Sequence, residues 1–159
     1  MSGMKIALGA DHAGFELKQR IQLWLAQRGI PTQDEGTYST DSVDYPDFAR
    51  KVGEDVAARR ADLGVLVCGS GIGMAISANK VPGIRAANVS SDYEAQMSRE
   101  HNDANVLCLG ARILGPEQAL QILDVWLRTS FAGGRHQRRV DKIAGIEQAE
   151  LEKLSEQRG

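Results

Sequence analysis

The chain has 159 residues, a formal net charge of −2, 42% hydrophobic and 25% charged residues. That length suits one domain with a real core, and the near-neutral balance gives no general pull toward nucleic acid or an anionic membrane. No apolar run reaches the roughly 18 residues of a spanning helix. The two cysteines, Cys68 and Cys108, make no disulfide framework, which points to a reducing cytoplasmic setting. No signal-peptide core precedes the first strand, and Met4 is an alternative start.

Lys5 to Gly9 reads as a short apolar strand, and Phe15 to Arg28 as a helix whose apolar positions include Leu17, Ile21 and Leu25 and which Gly29 ends. Ile30 to Glu35 is a weak strand near a sheet edge, since it carries Pro31 and polar residues. Residues 36–46 form a polar loop, long enough to be a functional one. A helix from Pro46 or Asp47 to Arg60 places Phe48, Val52 and Val56 on one face.

The centre of the chain is Leu63 to Gly73. Its apolar run reads as a strand buried on both faces. It empties into Cys68, then glycines at 69, 71 and 73, then a helical segment from Met74 to Lys80. Such a turn leaves backbone N–H groups aimed above the sheet edge, a nest for an anion or for developing negative charge. Ile84 to Val89 is a fourth strand, followed by a helix that Ser91 caps, with Glu94 in its first turn, running to about Glu100. Asn105 to Gly110 is a fifth strand, and Pro116 to Phe131 a periodic helix. After Gly133-Gly134 comes a charged helix from about Gln137 to Leu154, an arm suited to a partner subunit. The alternation predicts an α/β protein, three α/β/α layers around a five-stranded parallel sheet. Ligands then gather at the carboxyl ends of the strands, where Asp11-His12 and Cys68 to Gly73 fall.

Cys68 stands where a thiol is activated, at a strand terminus before glycines and a helix start. Cys108, inside Val106 to Leu109, reads as core. The glycine run has neither the Gly-Lys-Ser/Thr ending of a nucleoside-triphosphate loop nor the spacing of a dinucleotide fingerprint. Nor is there an arginine closing a short cysteine loop, as a thiol phosphatase needs: Met74 stands there. All three histidines, His12, His101 and His136, lie beside turn or glycine signals, which makes a shared site plausible. Metal-ligand spacing is absent, so no metal and no cofactor are expected. Arg135 and Arg139 share a face if helical, and Arg112 follows the fifth strand. These suit a small phosphorylated ligand better than a polyanion.

Gly9 to Gly14, Asp44-Tyr45-Pro46, Cys68 to Gly73, Ala78-Asn79-Lys80, Gly83 to Ala86, His101 to Val106 and Gly133 to Gln137 together resemble the type B ribose-5-phosphate isomerases and their galactose- and allose-6-phosphate relatives. The resemblance covers residues 4–150 as an isomerase domain and leaves 151–159 as a tail without assigned function. It implies a Rossmann-like domain, a homodimer or tetramer with sites shared between subunits, and metal-free interconversion of ribose 5-phosphate and ribulose 5-phosphate in the pentose phosphate pathway. By motif, Cys68 matches the base, Gly69, Ser70, Gly71, Ile72 and Gly73 the anion hole, and His101 the residue that opens the sugar ring. Asp11, His12, Tyr45 and Asn102 match substrate contacts, and Arg112, Arg135 and Arg139 phosphate ligands, with His12 a candidate for supply from the other subunit. Ser70, where many relatives carry Thr, suits proton relay between substrate oxygens. Arg138, often Gln in relatives, has no assigned role. The alternatives are a hexose 6-phosphate isomerase and a phosphosugar-binding module without catalysis. A Cys–His hydrolase stands further back, lacking an orienting third group.

Overall fold

The computed structural model describes residues 3–158; Met1 and Ser2, part of the segment where no leader is expected, and Gly159, the end of the tail, lie outside the described residues. The elements run β1 (Ile6–Ala10), α1 (Phe15–Gln27), β2 (Thr32–Asp34), α2 (Tyr45–Ala57), β3 (Leu63–Cys68), α3 (Ile72–Ala78), β4 (Ala86–Asn88), α4 (Asp92–Glu100), β5 (Val106–Gly110), α5 (Pro116–Arg128) and α6 (Arg135–Arg158). The five strands form one parallel sheet in the order β2-β1-β3-β5-β4.

The unbroken apolar runs occupy the middle of that sheet. Every residue of β1, β3 and β5 is buried, because helices cover both faces. One core joins the sheet to α1, α4 and α5 through Ile21, Leu25, Ala95, Ile122 and Trp126. The other joins it to α2 and α3 through Ala49, Val52, Met74 and Ala78. Each large apolar side chain taken fully from water this way contributes about 1.5–3 kcal/mol.

The edge strands β2 and β4 are only three residues long and are shorter than the sequence suggests, since each has a single neighbour to hold it. Helix α2 starts at Tyr45, with Pro46 in the first turn where its missing N–H costs nothing. Helix α5 stops at Arg128 rather than Phe131: Thr129 turns extended and its hydroxyl donates to the carbonyl of Val125. Helix α3 starts two residues earlier than expected, at Ile72. Helix α6 is longer at both ends than expected and continues unbroken through residues 151–158. Only Val140 of it is buried, and the Gly83 N–H donates to Glu147 Oε2 at 3.0 Å, tying its middle to the domain. No helix among the described residues is long and apolar enough to cross a membrane.

Sheet order fixes where a ligand can sit. The chain leaves β1 for β2 on one side and returns to place β3 on the other. The crevice above the carboxyl ends of β1 and β3 is therefore a switch point, where the diverging connections leave room.

Candidate active site

Asp11 follows β1 and Cys68 ends β3, so both reach that crevice. They line a cavity of about 580 Å³ with Tyr45, Gly69, Ser70, Ile72, Gly73 and Arg112. Cys68 is a free thiol, 4% exposed, and the Gly71 N–H donates to its sulfur at 3.2 Å. Gly71 has φ +83, a left-handed conformation that a side chain disfavours, and this turns its N–H back toward the sulfur. The next N–H, of Ile72, donates to Ser70 Oγ at 3.2 Å. Two N–H groups of the glycine turn, expected to be unpaired, are thus held by Cys68 and Ser70 within the turn itself.

Arg112 is fixed by its backbone: its N–H donates to the Gly69 carbonyl at 2.9 Å, and the guanidinium lies along Gly69. Asp11 is buried, and its Oδ1 accepts the N–H groups of Ala13 and Gly14 at 3.0 and 3.1 Å. It thus shapes the entry to α1 as well as the cavity wall, a role its motif position does not reveal. His12 accepts the Val43 N–H on Nδ1 at 3.2 Å, so the neutral ring carries its proton on Nε2 and is anchored to the loop of residues 36–46.

His12, His101, Asn102, Arg135 and Arg139 do not line this cavity. His101 caps the end of α4, which returns to the amino edge of the sheet. There the Ala132 N–H donates to the Glu100 carbonyl, and the His136 ring stacks on His101 with centroids 4.1 Å apart and planes 10° from parallel. Loss of hydration, and then the neighbouring His101, Arg135 and Arg139, hold the His136 pKa below its ordinary value, while Glu100 works the other way. Asn102 lines a separate recess with Ala87 and Ile143. Two of the three histidines meet, then, and His12 stands with the Cys68 half. Arg135 opens α6, so Arg135 and Arg139 are one turn apart as the spacing suggests.

Cys108 is fully buried one strand away, and burial pushes its thiol pKa far up, with Cys68 adding a smaller push; it is core, as its apolar neighbours indicate. The sequence reading missed Ile76 and Ile113, which line the cavity and are 59% and 61% exposed. With Ile72, 54% exposed, they form an apolar rim. The signal was present in Ile72 and Ile76, one turn apart on α3.

Residues 6–143 match the family model described as Ribose/Galactose Isomerase. The chain is 50% identical over 144 residues to ribose-5-phosphate isomerase B of Escherichia coli, an alignment spanning 91% of this chain and 97% of that one. The structure of ribose-5-phosphate isomerase B from Clostridium thermocellum superposes with a TM-score of 0.91 at 53% identity, covering 92% of this chain and 99% of that one. The Mycoplasma genitalium enzyme, solved with bound ribulose-5-phosphate, gives a TM-score of 0.89 at 41% identity over 93% of this chain and 99% of that one.

Proposed function

Since the chain belongs to the ribose/galactose isomerase family, we propose that it interconverts D-ribose 5-phosphate and D-ribulose 5-phosphate through an enediolate, with Cys68 as the base. The observation that carries the assignment of the base is the Cys68 sulfur at the cavity wall with a backbone N–H on it.

In this reading the Cys68 thiolate removes the C2 proton of the open aldose. The C2–H electron pair forms the C1–C2 double bond, and the carbonyl pair moves onto O1. A proton passes from O2 to O1, with Ser70 Oγ within the cavity as relay. The thiol then returns its proton to C1, leaving the carbonyl at C2 and no net change in atoms or electrons. Such a step needs a base matched to working pH and fixed donors for the oxyanion. The backbone of Gly69 to Gly73 supplies the donors, the Gly71 and Ile72 N–H groups turning to the oxyanion from Cys68 and Ser70. Asp11 and Tyr45 contact the sugar from the cavity wall, and His12, next to Asp11 in the chain and held on Nδ1 by Val43, reaches it through Nε2.

Ring opening and the rest of the phosphate grip come from a second copy of the chain. His101, Asn102, Arg135 and Arg139 then enter the Cys68 cavity of the partner, joining Arg112. Two observations support a homodimer: these motif residues lie away from their own Cys68 cavity, and that cavity has an exposed isoleucine rim for another surface to cover. The catalytic domain is residues 4–150, with 151–159 an appendage, and a reducing cytoplasm keeps Cys68 as the thiol it must be.

The test is ketose formation from ribose 5-phosphate by the purified protein, with chelator present and Cys68→Ala alongside. Turnover that survives the chelator and disappears with the substitution is the expected result. Retained turnover in Cys68→Ala removes that residue as base, and no turnover in the parent protein shifts the substrate to six-carbon phosphates.

A further inference from the structure

Strand β3 meets a cleft at each end. Cys68 closes one end; Leu63 opens the other, at a cleft of about 490 Å³ formed beside the amino ends of β3, β4 and β5. At about 3.3 Å per residue the two ends stand roughly 17 Å apart. We propose that this second cleft is an anion site that takes a phosphate group, free or carried on a small organic body. The proposal is independent of the roles given to the Cys68 cavity.

Three arginines face into it, Arg59, Arg85 and Arg99, with Asp62 and Asp103 as the only carboxylates in its lining. One carboxylate serves two of them: Asp103 takes Arg85 Nη2 at 3.4 Å and Arg99 Nη1 at 3.3 Å, both long for charge-assisted bonds. Asp62 is committed elsewhere, accepting the Lys5 backbone N–H at 2.8 Å. Arg59 is exposed and makes no ion pair among the described residues. Arg99 donates from Nη1 to the Ala104 carbonyl, yet its Nε is buried without a partner. Burial holds its pKa below the ordinary value, with Asp103 opposing and Arg85 adding a smaller push, and an anion in the cleft would join Asp103 in relieving it.

The backbone fixes where the unpaired Arg59 stands. Among the described residues only two without the freedom of glycine have positive φ, Arg59 at 60° and Asp103 at 48°. Both are on the wall of this cleft. Arg59 follows the end of α2, where glycine is the ordinary residue, and so places a guanidinium at a point the chain conformation does not favour. Arg59 alone among the described residues combines this conformation with a guanidinium that has no carboxylate partner, since Asp103 is of a type that adopts it readily.

The experiment follows the arginine Nε–H signals of the full chain by ¹⁵N-resolved NMR during titration with inorganic phosphate at constant ionic strength. The signals of Arg85 and Arg99 should shift saturably, and Arg59→Gly, which fits the positive φ, should raise the half-saturating concentration about tenfold. Arg59→Gln, which keeps a side chain but no charge, should do the same. Signals that stay still, that move equally with chloride, or that respond unchanged in both variants overturn the proposal. A tighter response to glycerol phosphate than to inorganic phosphate identifies a phosphate monoester, and an equal response the phosphate group itself; either supports the site.

Discussion

Tyr45 lays its ring against Gly73 so closely that a Cβ on Gly73 would fall 2.6 Å from the ring carbon Cζ. Tyr45 is 40% exposed and free to swing outward, so an added methyl displaces the ring rather than the core. Alanine is also the better helix former, by about 1 kcal/mol, at this first-turn position. Gly73→Ala is therefore expected to leave the melting temperature unchanged or raised while kcat/KM for ribose 5-phosphate falls about tenfold. A variant with full activity would remove Tyr45 from the substrate's surroundings.

A shared site has a signature that no single-chain site can imitate. Cys68→Ala and Arg139→Ala should each be nearly inactive alone. Mixed in equal amounts and allowed to exchange subunits, they should recover about a quarter of parental activity, because half the dimers are hybrid and each hybrid has one intact site. Absence of recovery, with hybrid dimers demonstrated by mass, would place both residues in one chain's site.

The carboxyl of Glu35 is raised to about 7, first by its hydrogen bond with Asp55, then by burial and by the Asp55 charge; Lys51 and Arg60 oppose this. Asp55 Oδ2 is buried with no donor on it unless Glu35 is protonated. Because the folded carboxyl holds its proton to higher pH than the unfolded one, this contribution to stability is complete below the ordinary carboxyl value of 4.5 and is lost as pH rises through about 7. Glu35→Gln keeps a donor and cannot titrate, so its urea midpoint should be flatter than the parent's across that window. Parallel profiles would show that the pair does not share a proton.

Lys18 is 2% exposed, and its Nζ lies 2.8 Å from both oxygens of Asp34, which also accepts the Gly36 N–H. Lys18→Met keeps the apolar stem but leaves the carboxylate without its cation, and should cost about 2–4 kcal/mol in urea unfolding. Lys18→Ala should cost more, through the added cavity. A neutral Lys18→Met would mean that Asp34, 22% exposed, is served well enough by water.

Strand and helix order was legible because the sheet is covered on both faces: Leu63 to Cys68 is apolar without interruption, and Val52 and Val56 mark the inner side of α2. The cap at Ser91 was equally plain, and its Oγ does accept the Glu94 N–H. What the chain hid are matters of partner choice rather than propensity. The short extents of β2 and β4 depend on having one neighbour, and the second duty of Asp11 depends on which N–H groups folding brings to it. The bond from Val43 to His12 joins residues 31 positions apart, and nothing local in either segment encodes it. His101 and Cys68 are both visible as reactive types, yet only the path of α4 shows that they stand at opposite edges of one sheet.

That separation reaches beyond geometry to abundance. On the roles proposed for Cys68 and His101, one chain carries two halves of a reaction centre and no whole one. At high dilution, turnover in a fixed volume should then scale with the square of chain concentration, becoming linear only once pairing saturates. Expression level would act as a threshold on this enzyme, and a small change in pairing strength would shift flux more than an equal change in the affinity of either half for sugar.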